Sequence, residues 1–271
     1  MSSFEINTEN INKLIRTSIE AGNAIMDIYD TNFVIEEKND SSPLTEADLV
    51  SNKIITESLL KISPDIPILS EESSKIEFAQ RSLWKEYWLV DPLDGTKEFI
   101  KKNGEFTTNI ALIKNNAPIL GIIHVPAKNE TYYGSKETGA FFIKGNLDSK
   151  KEKIFVSQEM GARIKVVSSR SHPSNELKSL LDRLNNYETI GIGSSLKFCL
   201  IAKGEADIYP RLGPTSEWDT AAGEIIAKSA GAIIVDTKGE FLKYNLKESY
   251  LNPNFIVCSS DQVKKKVLAL L

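Results

Sequence analysis

At 271 residues the chain is long enough for one large domain, or for two intimate halves sharing a core. Hydrophobic residues make up 41% and charged residues 26%, an ordinary soluble composition. The formal net charge of -4 and the lack of an aromatic–basic platform exclude nucleic-acid binding driven by phosphate neutralisation. A small anionic substrate stays compatible, because local charges and metal ions override a mildly acidic surface.

The N-terminal stretch carries charges every few residues and no apolar core, so no signal peptide is expected. Nothing approaches the roughly 18 consecutive apolar residues of a membrane span. Cys199 and Cys258 each lie in an apolar segment and read as buried, reduced thiols, which suits the cytoplasm. Ile11, Leu14, Ile15, Ile19, Ile25 and Met26 keep helical spacing and predict a helix over 8–30, followed by a second over 46–60. Strands are expected at Pro67–Leu69, Tyr87–Val90, Asn109–Ile113, Pro118–Val125, Thr131–Gly134 and Gly139–Lys144. The short Asn-, Gly- and Pro-containing connections among them favour antiparallel pairing.

A polar stretch, Gly145–Lys153, precedes a change of pattern. Strand-like Lys165–Val167, Glu188–Gly191, Ala206–Tyr209, Ala232–Val235 and Phe255–Cys258 alternate with helical Glu176–Leu184, Ser195–Ala202 and Thr220–Ala230. A basic helix, Asp261–Leu271, closes the chain. This predicts an α+β to α/β protein with a boundary near 146–160, giving an N-terminal half over 1–150 and a C-terminal half over 151–271.

The richest stretch runs from Trp88 to Thr96. An apolar run delivers the chain to Asp91, Pro92 and Gly95 mark a turn, and Asp91 and Asp94 can face one point across it. Carboxylates with a backbone carbonyl between them are hard oxygen ligands, suited to Mg²⁺. With only His124 and His172 in the chain, an imidazole-ligated transition metal is disfavoured. Gly95-Thr96 opens a short helix, Lys97–Lys101, whose free N–H groups could face a phosphate. The same residues also fit an Asp-Pro-Gly turn with an Asp cap. Glu71 and Glu72 end another apolar strand, and Asp219 starts a helix followed by small residues. Alone, Glu71 reads more readily as a surface carboxylate and Asp219 as a helix cap. Thr45-Glu46-Ala47-Asp48 reads as a capping box.

Taken together, Leu69-Ser70-Glu71-Glu72, Asp91-Pro92-Leu93-Asp94-Gly95-Thr96 and Trp218-Asp219-Thr220-Ala221-Ala222-Gly223, in this order, resemble the motifs of the lithium-sensitive, magnesium-dependent inositol monophosphatase superfamily. Ser42–Asp48 resembles its upstream acidic element. The resemblance covers about residues 10–260 and implies a layered α-β-α-β-α sandwich, with an antiparallel N-terminal sheet and a mixed C-terminal sheet. It implies two or three Mg²⁺ ions: one at Glu71, Asp91 and the Leu93 carbonyl, and a second at Asp91, Asp94 and Asp219. Asp48 and Thr96 match the pair that positions and deprotonates the attacking water, and Glu71 takes part in catalysis as well as ligation.

Within the superfamily, Gly95–Ile100, Ser169–His172, Gly193–Phe198 and Tyr209–Arg211 are most similar to the adenosine 3′,5′-bisphosphate nucleotidases. Glu98-Phe99 stands where inositol monophosphatases usually carry Asn-Phe. The resemblance implies hydrolysis of adenosine 3′,5′-bisphosphate to AMP and phosphate, and of its sulfated analogue, in sulfur assimilation. Glu71, Leu93, Asp94, Gly95, Thr96 and Asp219 would then contact substrate. Ser169 and His172 would hold the nucleotide; Gly193, Lys197 and Arg211 would receive its second anion. On the residues alone Lys197 reads also as a solvated helix flank, and His172 as a turn residue. An inositol or sugar monophosphatase, and a non-catalytic metal- or phosphate-binding regulator, are the alternatives weighed. The sequence leaves open monomer or homodimer, and any peripheral contact of the basic run Lys264-Lys265-Lys266 with the inner face of a membrane.

Overall fold

The computed structural model describes residues 3–31, 33, 35–37, 43–73, 76–157, 161–169 and 175–271. Helix α1 (Thr8–Tyr29) starts where the Asn7 side chain accepts from the Asn10 N–H at 2.9 Å, and it buries Ile11, Leu14, Ile15 and Ile25 along one face. A two-strand ribbon, β1 (Ile35–Glu37) and β2 (Pro43–Thr45), leads into α2 (Glu46–Ile62). Strand β3 (Ile68–Ser70) and the one-turn helix α3 (Phe78–Arg81) precede β4 (Glu86–Asp94) and α4 (Thr96–Ile100). An antiparallel meander follows: β5 (Thr107–Lys114), β6 (Ala117–Val125), β7 (Glu130–Ser135), β8 (Gly139–Lys144) and β9 (Lys151–Ile154). Strands β3 to β9 form one seven-stranded sheet in sequence order.

The second half contributes β10 (Ile164–Ser168), α5 (Asn175–Leu184), β11 (Tyr187–Gly191), α6 (Leu196–Ala202), β12 (Ile208–Arg211), α7 (Glu217–Ser229), β13 (Ile233–Asp236), β14 (Phe255–Cys258) and α8 (Asp261–Leu268). Its sheet has the order β11-β10-β12-β14-β13 and mixes parallel with antiparallel pairs.

Strand β4 shows how the layers are glued. Successive strand side chains point to opposite faces. Trp88 and Val90 enter the cluster containing Leu14, Ile15, Ile55 and Leu59 of α1 and α2, while Leu89 joins the cluster containing Phe198, Ala222 and Ile226 of α6 and α7. On the far side of the second sheet, Leu180 of α5 and Val263 and Val267 of α8 pack with Val166 and Ile256. The order is α1/α2, seven strands, α6/α7, five strands, α5/α8, the layered sandwich expected.

Close approach in the central layer depends on glycine. A Cβ on Gly121 of β6 would lie 2.5 Å from the Ala222 carbonyl oxygen of α7, and one on Gly223 would lie 2.5 Å from the Phe198 ring.

Several expectations are corrected. The first sheet is not wholly antiparallel, since β3 runs parallel to β4. The polar stretch Gly145–Lys153 overlaps β9, which joins the first sheet beside β8. Expected strand Ala206–Tyr209 is shifted to Ile208–Arg211. Pro210 is tolerated there because β12 meets β10 only at Ile208. The last helix stops at Leu268, not at Leu271.

Candidate active site

The carboxylates arrive from three elements. Glu71 heads the single turn after β3, Asp91 and Asp94 flank a register shift in β4, and Asp219 is the third residue of α7. At the register shift, Asp91 lies opposite Asn109 and Asp94 opposite Thr107. Such an irregularity re-aims side chains that a regular pleat would send to opposite faces. Gly95 then takes φ +91°, and with a side chain it would approach Ser194. Asp219 is oriented by the Ser216 N–H at 2.9 Å, and Asp94 Oδ2 accepts from the Ser195 N–H at 2.5 Å.

Glu71, Asp91 and Asp219 each place a carboxylate oxygen within 4.8 Å of the others. Asp94 stands beside this trio, turned toward Ser195. Asp91 is buried; its Oδ1 accepts the Leu93 N–H at 3.1 Å, and its Oδ2 has no hydrogen-bond partner. Crowded like charges of this kind hold one another's protons. Burial, then Glu71, Asp94 and Asp219, hold the Asp91 carboxyl well above the usual carboxylate range. Burial, reinforced by Asp94 and Glu71, pushes Asp219 up to about 8. Burial raises Asp94 to about 6, opposed by Lys197 and the Ser195 N–H. An unpartnered buried carboxylate oxygen inside an all-oxygen donor set is what a hard divalent cation satisfies, so these residues fit Mg²⁺.

Asp48 lies at the start of α2, buried behind Thr96. Its Oδ2 accepts from the Thr45 N–H at 2.8 Å and from the Thr45 hydroxyl at 2.6 Å. Its Oδ1 faces the Thr96 hydroxyl at 3.3 Å. That hydroxyl also lies 3.4 Å from the Leu93 carbonyl oxygen, so one proton chooses between two acceptors.

A cavity of about 500 Å³ opens over these groups. Glu71, Asp91, Leu93, Asp94, Gly95, Thr96 and Asp219 line it together with Ser169, Gly193, Lys197 and Arg211. Lys197 is only 6% exposed, so the solvated-flank alternative falls. Burial drives its ammonium down to about 8, with Asp94 pulling the other way. Arg211 donates to the Pro214 carbonyl at 2.6 Å and to the Thr215 hydroxyl. The structure therefore brings together every expected site residue it describes, with Asp48 one side chain behind the cavity. His172 lies outside the described residues.

The sequence reading missed the support beneath this site. Gly193 donates its N–H to Glu105 at 2.8 Å, and Ser195 sits against Thr107 and Asn109. Ser195 stands in a motif already singled out by resemblance, but nothing near Glu105, Thr107 or Asn109 marked them.

The sequence pattern of the inositol monophosphatase family matches residues 7–271, and the chain belongs to that family of phosphatases. Its relatives include the 3′(2′),5′-bisphosphate nucleotidase CysQ of Salmonella typhimurium, 48% identical over 243 residues, which covers 88% of this chain and 94% of that one. CysQ of an Escherichia coli strain is 46% identical over 253 residues, covering 91% and 98%. Among solved structures, CysQ from Bacteroides thetaiotaomicron superposes with a TM-score of 0.80 at 39% identity, covering 96% of this chain and all of that one. The chain is thus a member of CysQ type.

Proposed function

We propose that this protein is a Mg²⁺-dependent 3′(2′),5′-bisphosphate nucleotidase that hydrolyses adenosine 3′,5′-bisphosphate to AMP and phosphate. The observation that carries the reading is that one cavity is lined both by the carboxylate cluster and by a buried Lys197 with Arg211. A monophosphate would need only the carboxylates and the cations they hold. A second phosphate on the substrate would give Lys197 and Arg211 a charge-assisted partner besides the carboxylates they already feel. The names of the relatives at 46–48% identity point the same way.

Two or three Mg²⁺ ions held by Glu71, Asp91, the Leu93 carbonyl, Asp94 and Asp219 would supply charge neutralisation and an acidified water. The remaining steps belong to the chain's own groups. Asp48 draws the Thr96 hydroxyl toward itself, and Thr96 in turn takes the proton of the attacking water. The water oxygen bonds to phosphorus as the phosphorus–ester oxygen bond breaks; the leaving ribose oxygen keeps the bonding pair and takes its proton from a solvent water. Lys197 and Arg211 hold the second phosphate and fix the ester in line, with Ser169 and Gly193 beside the nucleoside. In this reading residues 1–150 carry most of the ligands, while 151–271 carry recognition and Asp219. The sulfated analogue, 3′-phosphoadenylyl sulfate, has the same two anionic ends and is a second substrate of the same site, placing the enzyme in sulfur assimilation. Two buried free thiols and the absence, among the described residues, of a helix long and apolar enough to cross a membrane accord with a cytoplasmic location.

Phosphate release with Mg²⁺ should be measured over adenosine 3′,5′-bisphosphate, inositol monophosphate and fructose bisphosphate. The expected result is highest kcat/KM on the nucleotide, with inhibition by lithium. Highest kcat/KM on inositol monophosphate would replace this reading with the monophosphatase alternative.

A further inference from the structure

The Ser195 hydroxyl is buried between two groups of β5. It lies 2.8 Å from the Thr107 hydroxyl and 2.8 Å from Asn109 Oδ1. An amide oxygen only accepts, so the single Ser195 proton goes to Asn109, and Thr107 must be the donor to Ser195. The direction of the chain is fixed: Thr107 to Ser195 to Asn109. Thr107 and Asn109 are the cross-strand partners of Asp94 and Asp91, the two carboxylates of the β4 irregularity. The Ser195 N–H meanwhile bonds Asp94 itself. Two residues before Thr107, Glu105 takes the Gly193 N–H.

Residues 193–195 are therefore fastened to β5 and the segment just before it, beside the Asp91–Asp94 irregularity, and Lys197 follows two residues later on α6. We infer that Thr107, Asn109 and Ser195 form a clasp that sets the distance between the carboxylate cluster and the Lys197 ammonium, making Thr107 a positioning residue for selectivity toward substrates with two separated phosphates. This rests on the nucleotidase reading above. Thr107 does not line the cavity; its influence runs through Ser195.

The test is a double-mutant cycle read by steady-state kinetics on adenosine 3′,5′-bisphosphate and on adenosine 3′-monophosphate, with Mg²⁺ saturating. Thr107→Val keeps shape but removes the donor, and Thr107→Ser restores it. Thr107→Val should raise KM for the bisphosphate roughly tenfold relative to KM for the monophosphate, the size of an ordinary coupling between contacting residues. Thr107→Ser should recover most of that selectivity. In a Lys197→Ala background the selective effect of Thr107→Val should vanish, because the ammonium it positions is gone. A merely structural role would lower both substrates alike and persist in that background. Equal loss on both substrates, or an undiminished selective effect without Lys197, overturns the clasp while the nucleotidase reading stands. A wild-type enzyme with no preference for the bisphosphate overturns both.

Discussion

Asp48 gives one carboxylate oxygen to Thr45 and the other to Thr96. Oδ2 accepts the Thr45 N–H and hydroxyl at 2.8 and 2.6 Å, while Oδ1 faces the Thr96 hydroxyl at 3.3 Å. Capping and water activation read as rival roles for this residue, yet the contacts each would need fall on different oxygens. Asp48→Asn should cut Mg²⁺-saturated turnover by about 10²–10⁴, the worth of a general base, with a small fall in Tm. Thr45→Ala should do the reverse, losing about 0.5–2 kcal/mol of stability while the folded fraction keeps most of its turnover. Melting curves and turnover on the same two variants check this. Asp48→Asn retaining a third of wild-type turnover would confine Asp48 to the cap.

Asp94 is held by the Ser195 N–H beside the Glu71, Asp91 and Asp219 trio. Asp94→Asn keeps shape and removes charge. Its cost in Mg²⁺ affinity should be at least the roughly 10–100-fold that follows loss of a supporting partner alone. Turnover titrated against Mg²⁺ reads it, and an unchanged half-saturation point would remove Asp94 from the ligand set.

Lys197 should separate the two substrate classes. Lys197→Ala should weaken binding of adenosine 3′,5′-bisphosphate by roughly 1.5–3 kcal/mol, the loss of a charge-assisted hydrogen bond. Hydrolysis of a monophosphate should suffer far less. Equal losses would mean that Lys197 acts through structure.

The carboxylate cluster predicts a pH dependence whose sign is fixed. Asp219 and Asp94 start from 3.8 and are raised in the folded protein to about 8 and about 6. Groups with raised folded values stabilise fully below their unfolded value and lose that contribution as pH climbs through the folded one. Metal-free protein should therefore lose stability from these groups between about pH 4 and pH 8, and Mg²⁺ should restore it by replacing protons. Glu217, raised to about 7, acts in the same direction, while His124, lowered to about 4, acts oppositely below its ordinary 6.5. The clean readout is the increment in Tm on adding Mg²⁺ to chelator-treated protein, larger at about pH 8 than at about pH 5. An increment that shrinks with rising pH would contradict the assignment of a cation to this cluster.

Gly121→Ala tests the central layer. Its new Cβ would meet the Ala222 carbonyl oxygen at 2.5 Å, backbone that cannot swing aside. The variant should lose roughly 1–3 kcal/mol of stability through overpacking. It should also weaken Mg²⁺ binding, since α7 carries Asp219. Wild-type melting behaviour would show that α7 has room to retreat.

Much of this was legible in the sequence because the signals are local. The apolar spacing from Ile11 to Ile25 gave α1 nearly to the residue, and the Asp91–Thr96 turn announced itself through Pro92 and Gly95. Strand β9 was missed because Lys151, Glu152 and Lys153 present no apolar alternation; only Ile154 is buried. The clasp was invisible for a different reason. Thr107 and Ser195 are 88 residues apart, and neither is unusual in its own neighbourhood. Lys197 shows the intermediate case: beside Leu196 and Phe198 a lysine reads as a flank, and only the docking of α6 over the carboxylates makes it part of a site.

The position of α7 between the two sheets also has a consequence for the chain as it leaves the ribosome. The seven-stranded sheet is complete in sequence by Ile154, but the helix that covers its inner face begins at Glu217. Until then Leu89, Ala111 and Ile123 have no partner from α7, and a nascent chain emerging at about 5–20 residues per second presents that apolar face for several seconds. The step that finally buries it is the docking of α7, which in the same movement delivers Asp219 to Glu71 and Asp91. Closing the core and completing the carboxylate cluster are thus one event in biosynthesis, and a chain halted before α7 emerges would be both sticky and short of Asp219.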